Sequence, residues 1–205
     1  MNSSALTYDL PDIEPLLYNE SSQKFFTWIP DKFYLILGRS NSAEKSLDLE
    51  KTNSDSVKIL KRPSGGETVI LSPNTLVLSA VAIEDELKNS HKYFEFFNNK
   101  IISILGKKGI TNLQQKGISD ISLRDKKILG SSIYRKGNKI FYHAVLNISE
   151  SVKNIEKYIL HPSREPDYRK GRKHSEFVTS LFDEGYNLNI NELKNEFEKN
   201  LFTIK

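Results

Sequence analysis

Residues 57–83 read VKILKRPSGGETVILSPNTLVLSAVAI, and they decide the fold. Val57–Leu60 and Glu67–Ile70 are short runs rich in β-branched and apolar residues. Thr75–Ile83 is a longer apolar run of the kind that forms a strand covered on both faces. Pro63-Ser64-Gly65-Gly66 and Ser72-Pro73-Asn74, which separate these runs, have turn composition. The stretch therefore predicts sheet, with glycines between strands and a hairpin across Ser72–Asn74.

Toward the N-terminus, Asp31–Gly38 (DKFYLILG) reads as another buried strand ended by glycine, followed to about Ser56 by loop or short helix. Toward the C-terminus, Leu87, Tyr93, Phe94, Phe97, Ile101, Ile102 and Leu105 recur at near-helical spacing within Glu84–Lys107, and Gly106 and Gly109 supply the stop. A second strand cluster follows, at Ile118–Leu123, Lys127–Tyr134 and Lys139–Ile148, with turns at Asp125-Lys126 and Lys136-Gly137-Asn138. Two helical patterns, Glu150–Leu160 and Asn191–Phe202, flank the charged segment Ser163–Lys173 and the apolar run Phe177–Phe182. Strands on both sides of one long helix predict an α+β fold, a mixed or antiparallel β-sheet flanked by helices.

The chain of 205 residues suits one domain, 1–205, with a core at about 30–182 and a C-terminal helical segment at 188–205. Its 38% hydrophobic and 27% charged residues are the balance of a folded protein, not of a disordered one. Thirty basic against 26 acidic residues leave a net charge of +4, too small for a nucleic-acid stripe. The absence of cysteine excludes disulfides, zinc–thiolate sites and covalent cysteine catalysis. The N-terminus has no apolar signal core, and no run approaches the roughly 20 apolar residues of a membrane span. A cytoplasmic protein with neither nucleic-acid nor membrane partners is expected.

Four places carry candidate chemistry. In Arg62-Pro63-Ser64-Gly65-Gly66 the glycines let backbone N–H groups approach an anion, and the guanidinium fork suits a phosphate or carboxylate. An ordinary Gly-Gly turn beside a solvated arginine has the same composition. Asp120 stands seven residues before Lys127, whose strand continues through Gly130-Ser131-Ser132. A lysine at a strand start with small residues beyond it could hold phosphate oxygens, and the aspartate Mg²⁺; two surface charges at strand ends are the alternative. His143, in an apolar run, reads more readily as a satisfied core or edge histidine than as a catalytic group. Residues 164–173 form either a solvated charged loop or a basic cover for phosphates.

Taken in order, these segments resemble the lipoate-protein ligase A family, within the biotin/lipoate protein ligase and lipoyltransferase superfamily. Its R-R-x-S-G-G-G-x-V-x-H-x-x-G-x-L-x-x-S pattern is met by KRPSGGETVILSPNTLVLS through Arg62, Ser64, Gly65, Gly66, Val69, Leu76 and Ser79. Its later Asn-Asp pair and G-[RK]-K-[IV]-x-G-[SN]-[AS] strand are met by Asp120, Lys127, Gly130, Ser131 and Ser132. Its H-H-G-T-L-L strand is met by Tyr142-His143-Ala144-Val145-Leu146-Asn147, and its basic segment ending in V-[TS]-x-L by residues 161–181. The chain departs from the pattern at Glu67, Leu71, Asn74, Ser119, Tyr142 and Ala144.

The resemblance implies a biotin/lipoate ligase type of catalytic domain without a C-terminal accessory domain, which would be absent or a separate subunit. It implies that ATP activates lipoate as lipoyl-AMP with Mg²⁺, and that the lipoyl group then passes to a carrier lysine. The carriers would be lipoyl domains of 2-oxoacid dehydrogenase acyltransferase subunits or glycine cleavage protein H. On this basis Lys127 is the catalytic residue and Asp120 binds the metal. Arg62, Ser64, Gly65, Gly66, Glu67, Thr68, Val69, Leu71, Gly130, Ser131, Ser132 and His143 contact lipoate or the adenylate. An apolar tunnel near Val69, Leu76, Leu78 and Ile128 would take the lipoyl chain. Glu67 and Leu71 would stand at the nucleotide mouth. Two alternatives stay open: a cysteine-independent lipoyl or octanoyl transferase using a preformed adenylate or an acylated protein, and a non-catalytic binding homologue.

Overall fold

The computed structural model describes residues 5–13, 24–84 and 89–200. Along the chain its strands are β1 (Leu6–Thr7), β2 (Lys24–Trp28), β3 (Tyr34–Leu37), β4 (Lys58–Lys61), β5 (Val69–Leu71), β6 (Thr75–Ile83), β7 (Leu113–Lys116), β8 (Asp120–Leu123), β9 (Lys126–Lys136) and β10 (Lys139–Asn147). They make two sheets. One has the order β1-β4-β3-β5, parallel at its first two junctions and antiparallel between β3 and β5. The other, β2-β6-β10-β9-β8-β7, is antiparallel throughout. The α+β class with helices flanking mixed and antiparallel sheet is as expected, but the strands divide between two sheets.

That division corrects the hairpin expected across Ser72–Asn74. β5 pairs with β3, and β6 pairs with β2 and β10, so the turn carries the chain from one sheet to the other. Thr75 N donates to the Ser72 carbonyl at 2.9 Å, and Ser72 Oγ donates to the buried carboxylate of Glu150. Local order along the chain favours a hairpin, but β5 has an apolar partner in β3 that the sequence run does not reveal.

β6 and β10 are apolar along their length because both their faces are covered. Leu76, Leu78, Tyr142 and Leu146 face Tyr93, Phe97, Ile101 and Leu105 of the long helix Ser90–Lys107. Val77, Val81 and Phe141 face the four-stranded sheet and join Trp28, Ile36, Leu60 and Leu71. Beyond that sheet, Leu35, Leu37, Ile59 and Ile70 pack against Leu47, Tyr158 and Ile159 of the short helical segments. Each such fully buried aliphatic side chain contributes about 1.5–3 kcal/mol relative to exposure.

The long helix begins at Ser90, where the Asn89 side chain accepts the His91 N–H, and Leu87 lies outside the described residues. Gly109, at φ +84°, turns the chain out of it. Packing reaches beyond 30–182 in both directions, to Tyr8, Leu10 and Ile13 and to Leu193 and Phe197 of helix Ile190–Asn200. Among the described residues no helix is long and apolar enough to cross a membrane.

Candidate functional site

A cavity of about 610 Å³ opens between the sheets. Its floor is the inner face of the six-stranded sheet: Thr75 and Val77 on β6, His143 and Val145 on β10, Ile128, Gly130 and Ser132 on β9, and Asp120 on β8. Ile36, Val69 and Leu71 form the facing wall, and Ile155, Ile159, Arg169, His174 and Phe177 close a third side. A cavity of this size, mostly apolar with a few convergent polar groups, suits a small-molecule ligand.

At the polar part, Lys127 Nζ lies 2.9 Å from Asp120 Oδ1. A bulge sets this up: β9 slips by one residue against β8, so that Ile121 pairs with Leu129 but Ser122 with Lys127. The lysine then folds back over Gly130. A Cβ added there would stand 2.8 Å from both Lys127 Cε and Nζ, so glycine makes the space that the lysine fills. The other oxygen of Asp120 accepts the Tyr168 hydroxyl at 2.8 Å, and burial, then this carboxylate, pushes the Tyr168 pKa up. Lys127 is also paired in parallel to Val178, its carbonyl accepting the Thr179 N–H at 2.9 Å.

Arg62 does not aim its fork outward. It is 5% exposed and donates to Ser64 Oγ and to the carbonyls of Ile36, Gly65 and Glu67, at 2.8–3.1 Å. Burial lowers its pKa to about 10. Its structural work is to fold the glycine loop beneath the cavity wall. Gly66 takes φ +91°, and its carbonyl runs so close to Gly38 that a Cβ on Gly38 would meet it at 1.9 Å. Glu67 lines the cavity, with Oε2 accepting the Asn41 amide at 3.2 Å, and Thr68 Oγ1 takes a longer 3.5 Å contact from the same amide. Leu71 is a correction to the nucleotide-mouth expectation: it sits 2% exposed in the apolar cluster with Val77. Tyr142 faces the long helix, its hydroxyl donating to Asn98 and its ring stacked on Phe97, so its departure from the family pattern lies off the site.

His143 has both ring nitrogens engaged within the protein. Nε2 lies 2.6 Å from Ser64 Oγ, and Nδ1 lies 3.6 Å from Asp12 Oδ2. Ser64 Oγ also stands 2.9 Å from Ser132 Oγ, while Asp12 accepts from Tyr8 and Ser79 hydroxyls at 2.7 and 3.1 Å. Burial lowers the His143 pKa although Asp12 opposes it. Ser131 Oγ donates to the Ser119 carbonyl at 2.6 Å. Of the residues singled out in the sequence, Lys127, Asp120, Gly130, Ser131, Ser132, Gly66, Glu67, Thr68, Val69, Leu71, Arg62 and His143 converge on the cavity; Ser64 and Gly65 stand behind its wall. Leu76 and Leu78 do not belong to it, for they face the long helix.

Sequence reasoning missed Asp12, Gly38 and His174. Asp12 sits in DLPDIEP, which carries no site signature, and Gly38 reads only as a strand end. His174 follows the basic run directly, and two arginines of that run turn inward: Arg169 and Arg172 stack on Phe177 at 4.9 and 5.2 Å. Burial and the neighbouring Arg169 hold the His174 pKa down at about 4. Among the described residues no three His, Cys, Asp or Glu side chains gather as a metal site. Asp120 alone suits a cation that arrives already bound to phosphates.

Residues 14–202 match the family described as the lipoyl protein ligase A/B catalytic domain. The chain belongs to that family. Among its lipoyl-ligase relatives, lipoate–protein ligase 1 of Staphylococcus aureus is 22% identical over 136 residues, covering 66% of this chain and 40% of the relative. The chain spans less than half the length of the first such relatives it matches. Two solved structures share the fold at a TM-score of 0.75 and 19% identity. One is a bi-partite lipoate protein ligase and its E2 lipoyl domain from Thermoplasma acidophilum, covering 90% of this chain and 72% of that one. The other is lipoate-protein ligase A bound with ATP, covering 93% and 77%.

Proposed function

We propose that this chain activates lipoate with ATP and transfers the lipoyl group to a lysine of a lipoyl-domain protein. The observation that carries this reading is the Lys127–Asp120 pair, folded over Gly130 where the polar part of the cavity meets its apolar floor. A carboxylate is a poor acyl donor, so a lipoate oxygen first attacks the α-phosphorus of ATP and pyrophosphate leaves. The carrier amine then attacks the carbonyl carbon of the mixed anhydride and AMP departs. Negative charge builds first on phosphoryl and then on carbonyl oxygen, and a cation positioned at their junction serves both steps. Lys127 holds that position, and Asp120 keeps its ammonium aimed. Asp120 is the residue that would share a Mg²⁺ brought in on the triphosphate, where the ion would neutralise phosphate charge. Val69, Leu71, Val77, Val145 and Ile128 offer the acyl chain an apolar channel. Relatives named as ligases, and the family fold held by an ATP-bound ligase and by a ligase studied with its E2 lipoyl domain, support the same substrates.

The test is mass-spectrometric detection of lipoyl-domain modification, run with ATP plus lipoate and separately with synthetic lipoyl-adenylate. Lys127→Ala should lose activity in both lanes by about 10²–10³-fold while folding normally. Full activity in that variant refutes the assignment. Activity of the unaltered chain only with the adenylate would identify a transferase.

A further inference from the structure

We propose that Ser132, Ser64 and His143, backed by Asp12, form a proton path that receives the proton of the attacking carrier amine. This rests on the transfer reaction proposed above. The direction of the path follows from counting donors and acceptors. A serine hydroxyl has one proton and two acceptor sites. Ser64 Oγ has three partners: it accepts from Arg62 Nε at 3.1 Å, and it contacts His143 Nε2 at 2.6 Å and Ser132 Oγ at 2.9 Å. The His143 N–H faces Asp12 at Nδ1, because a carboxylate there can only accept, so Nε2 is the acceptor of the Ser64 proton. The last acceptor site of Ser64 must then take the Ser132 proton. The hydroxyls of Ser132 and Ser64 thus both point inward along the path, and Ser132 offers the cavity lone pairs alone.

Ser132 and His143 both line the cavity, but Ser132 is half-buried whereas Ser64, His143 and Asp12 are 1%, 7% and 0% exposed. It lies two residues along β9 from Gly130 on the same face, since Ser132 pairs with His143 and Gly130 with Val145. Two strand residues span about 6.7 Å, so a carbonyl carbon beside the Lys127 ammonium above Gly130 is within reach of an amine contacting Ser132. When the C–N bond forms, the amine nitrogen becomes cationic and must lose a proton. That proton passes to Ser132 Oγ, the Ser132 proton to Ser64, and the Ser64 proton to His143 Nε2. The electron pair of the broken acyl–oxygen bond leaves with AMP, and the imidazolium rests beside Asp12 in a pocket otherwise closed by Tyr8, Phe141 and Arg62. Burial lowers the His143 pKa and keeps the resting imidazole neutral, while Asp12 works against that lowering by favouring the imidazolium.

The path has no part in adenylation, where no amine reacts, and this separates the two half-reactions. His143→Gln keeps an acceptor for Ser64 but cannot hold the proton, and Ser132→Ala removes the entry from a half-buried position where folding is little affected. In single-turnover transfer from lipoyl-adenylate to a lipoyl domain, both should be slowed, His143→Gln by about 10²-fold or more. Transfer should fall by a clearly larger factor than ATP–pyrophosphate exchange with lipoate, and Ser132→Thr should restore transfer. Wild-type transfer rates in both variants overturn the path alone, as does a parallel fall in exchange, which would mean a binding or structural role. An unaltered chain that transfers nothing from the adenylate overturns the path and the proposed activity together.

Discussion

Gly130→Ala isolates the space in which Lys127 works. The added methyl would stand 2.8 Å from Lys127 Cε and Nζ but 3.7 Å from Asp120 Oδ1, whereas ordinary contact begins at 3.4 Å. Asp120 therefore stays, and the flexible lysine tip retreats by roughly half an ångström to an ångström, out of its 2.9 Å contact. Displacement of a transition-state-stabilising group by about 1 Å costs on the order of 10²-fold, or about 2.7 kcal/mol of barrier. Stability should respond in the opposite sense. Gly130 does not take a positive φ, so alanine fits the backbone and removes about 0.4–1 kcal/mol of unfolded-state entropy. At about 2–4 °C per kcal/mol for this chain length, Tm should hold or rise slightly. The assay is kcat/KM for lipoyl-domain modification from ATP and lipoate, beside a thermal melt. Wild-type kcat/KM refutes the reasoning, and so does lost activity accompanied by a Tm drop of many degrees.

Gly38→Ala should act on stability, because its Cβ would meet a backbone atom, Gly66 O, at 1.9 Å and neither strand end nor loop can yield cheaply; a loss of about 1–3 kcal/mol is expected in denaturant melts. Glu67→Gln should tighten ATP more than lipoyl-adenylate. A carboxylate about 6 Å from a phosphate charge at an effective dielectric near 20 costs on the order of 2–3 kcal/mol before screening, and titration calorimetry with both ligands reads the difference. For His174, burial sets the folded pKa at about 4, below the 6.5 of a free imidazole. Between those values the unfolded chain binds a proton that the folded chain refuses, so stability is full above about pH 6.5 and falls as pH drops toward 4. His174→Gln should flatten that part of the Tm-versus-pH curve.

The strands most legible in the sequence were those with both faces buried, β3, β6 and β10, since uninterrupted apolar runs need no alternation to be recognised. β7, with sequence LQQK, and β1, two residues long, carry no such signal. The Arg62 loop was legible as a place but not in its workings: composition suggested a fork aimed at a ligand, whereas the guanidinium satisfies carbonyls of its own loop and of Ile36. Gly130 was expected beneath a ligand, and the structure adds that it lies beneath Lys127. Asp12 was unreadable because the partners that tie it to the site, His143 and Ser79, lie far along the chain and meet it through tertiary packing.

The antiparallel sheet is a board written on two sides. On β6 and β10, residues such as Val77, His143 and Val145 belong to the cavity, while Leu76, Tyr142 and Leu146 belong to the core under the long helix. The strand period of two separates these vocabularies without an extra residue between them. A new acyl preference can accordingly be composed at odd-numbered positions that line the cavity, such as Val145, with residues of similar volume, while the even-numbered side keeps the core under the long helix and Val81 and Phe141 keep the core against the other sheet. A one-residue slip of either strand, in contrast, would erase both texts at once.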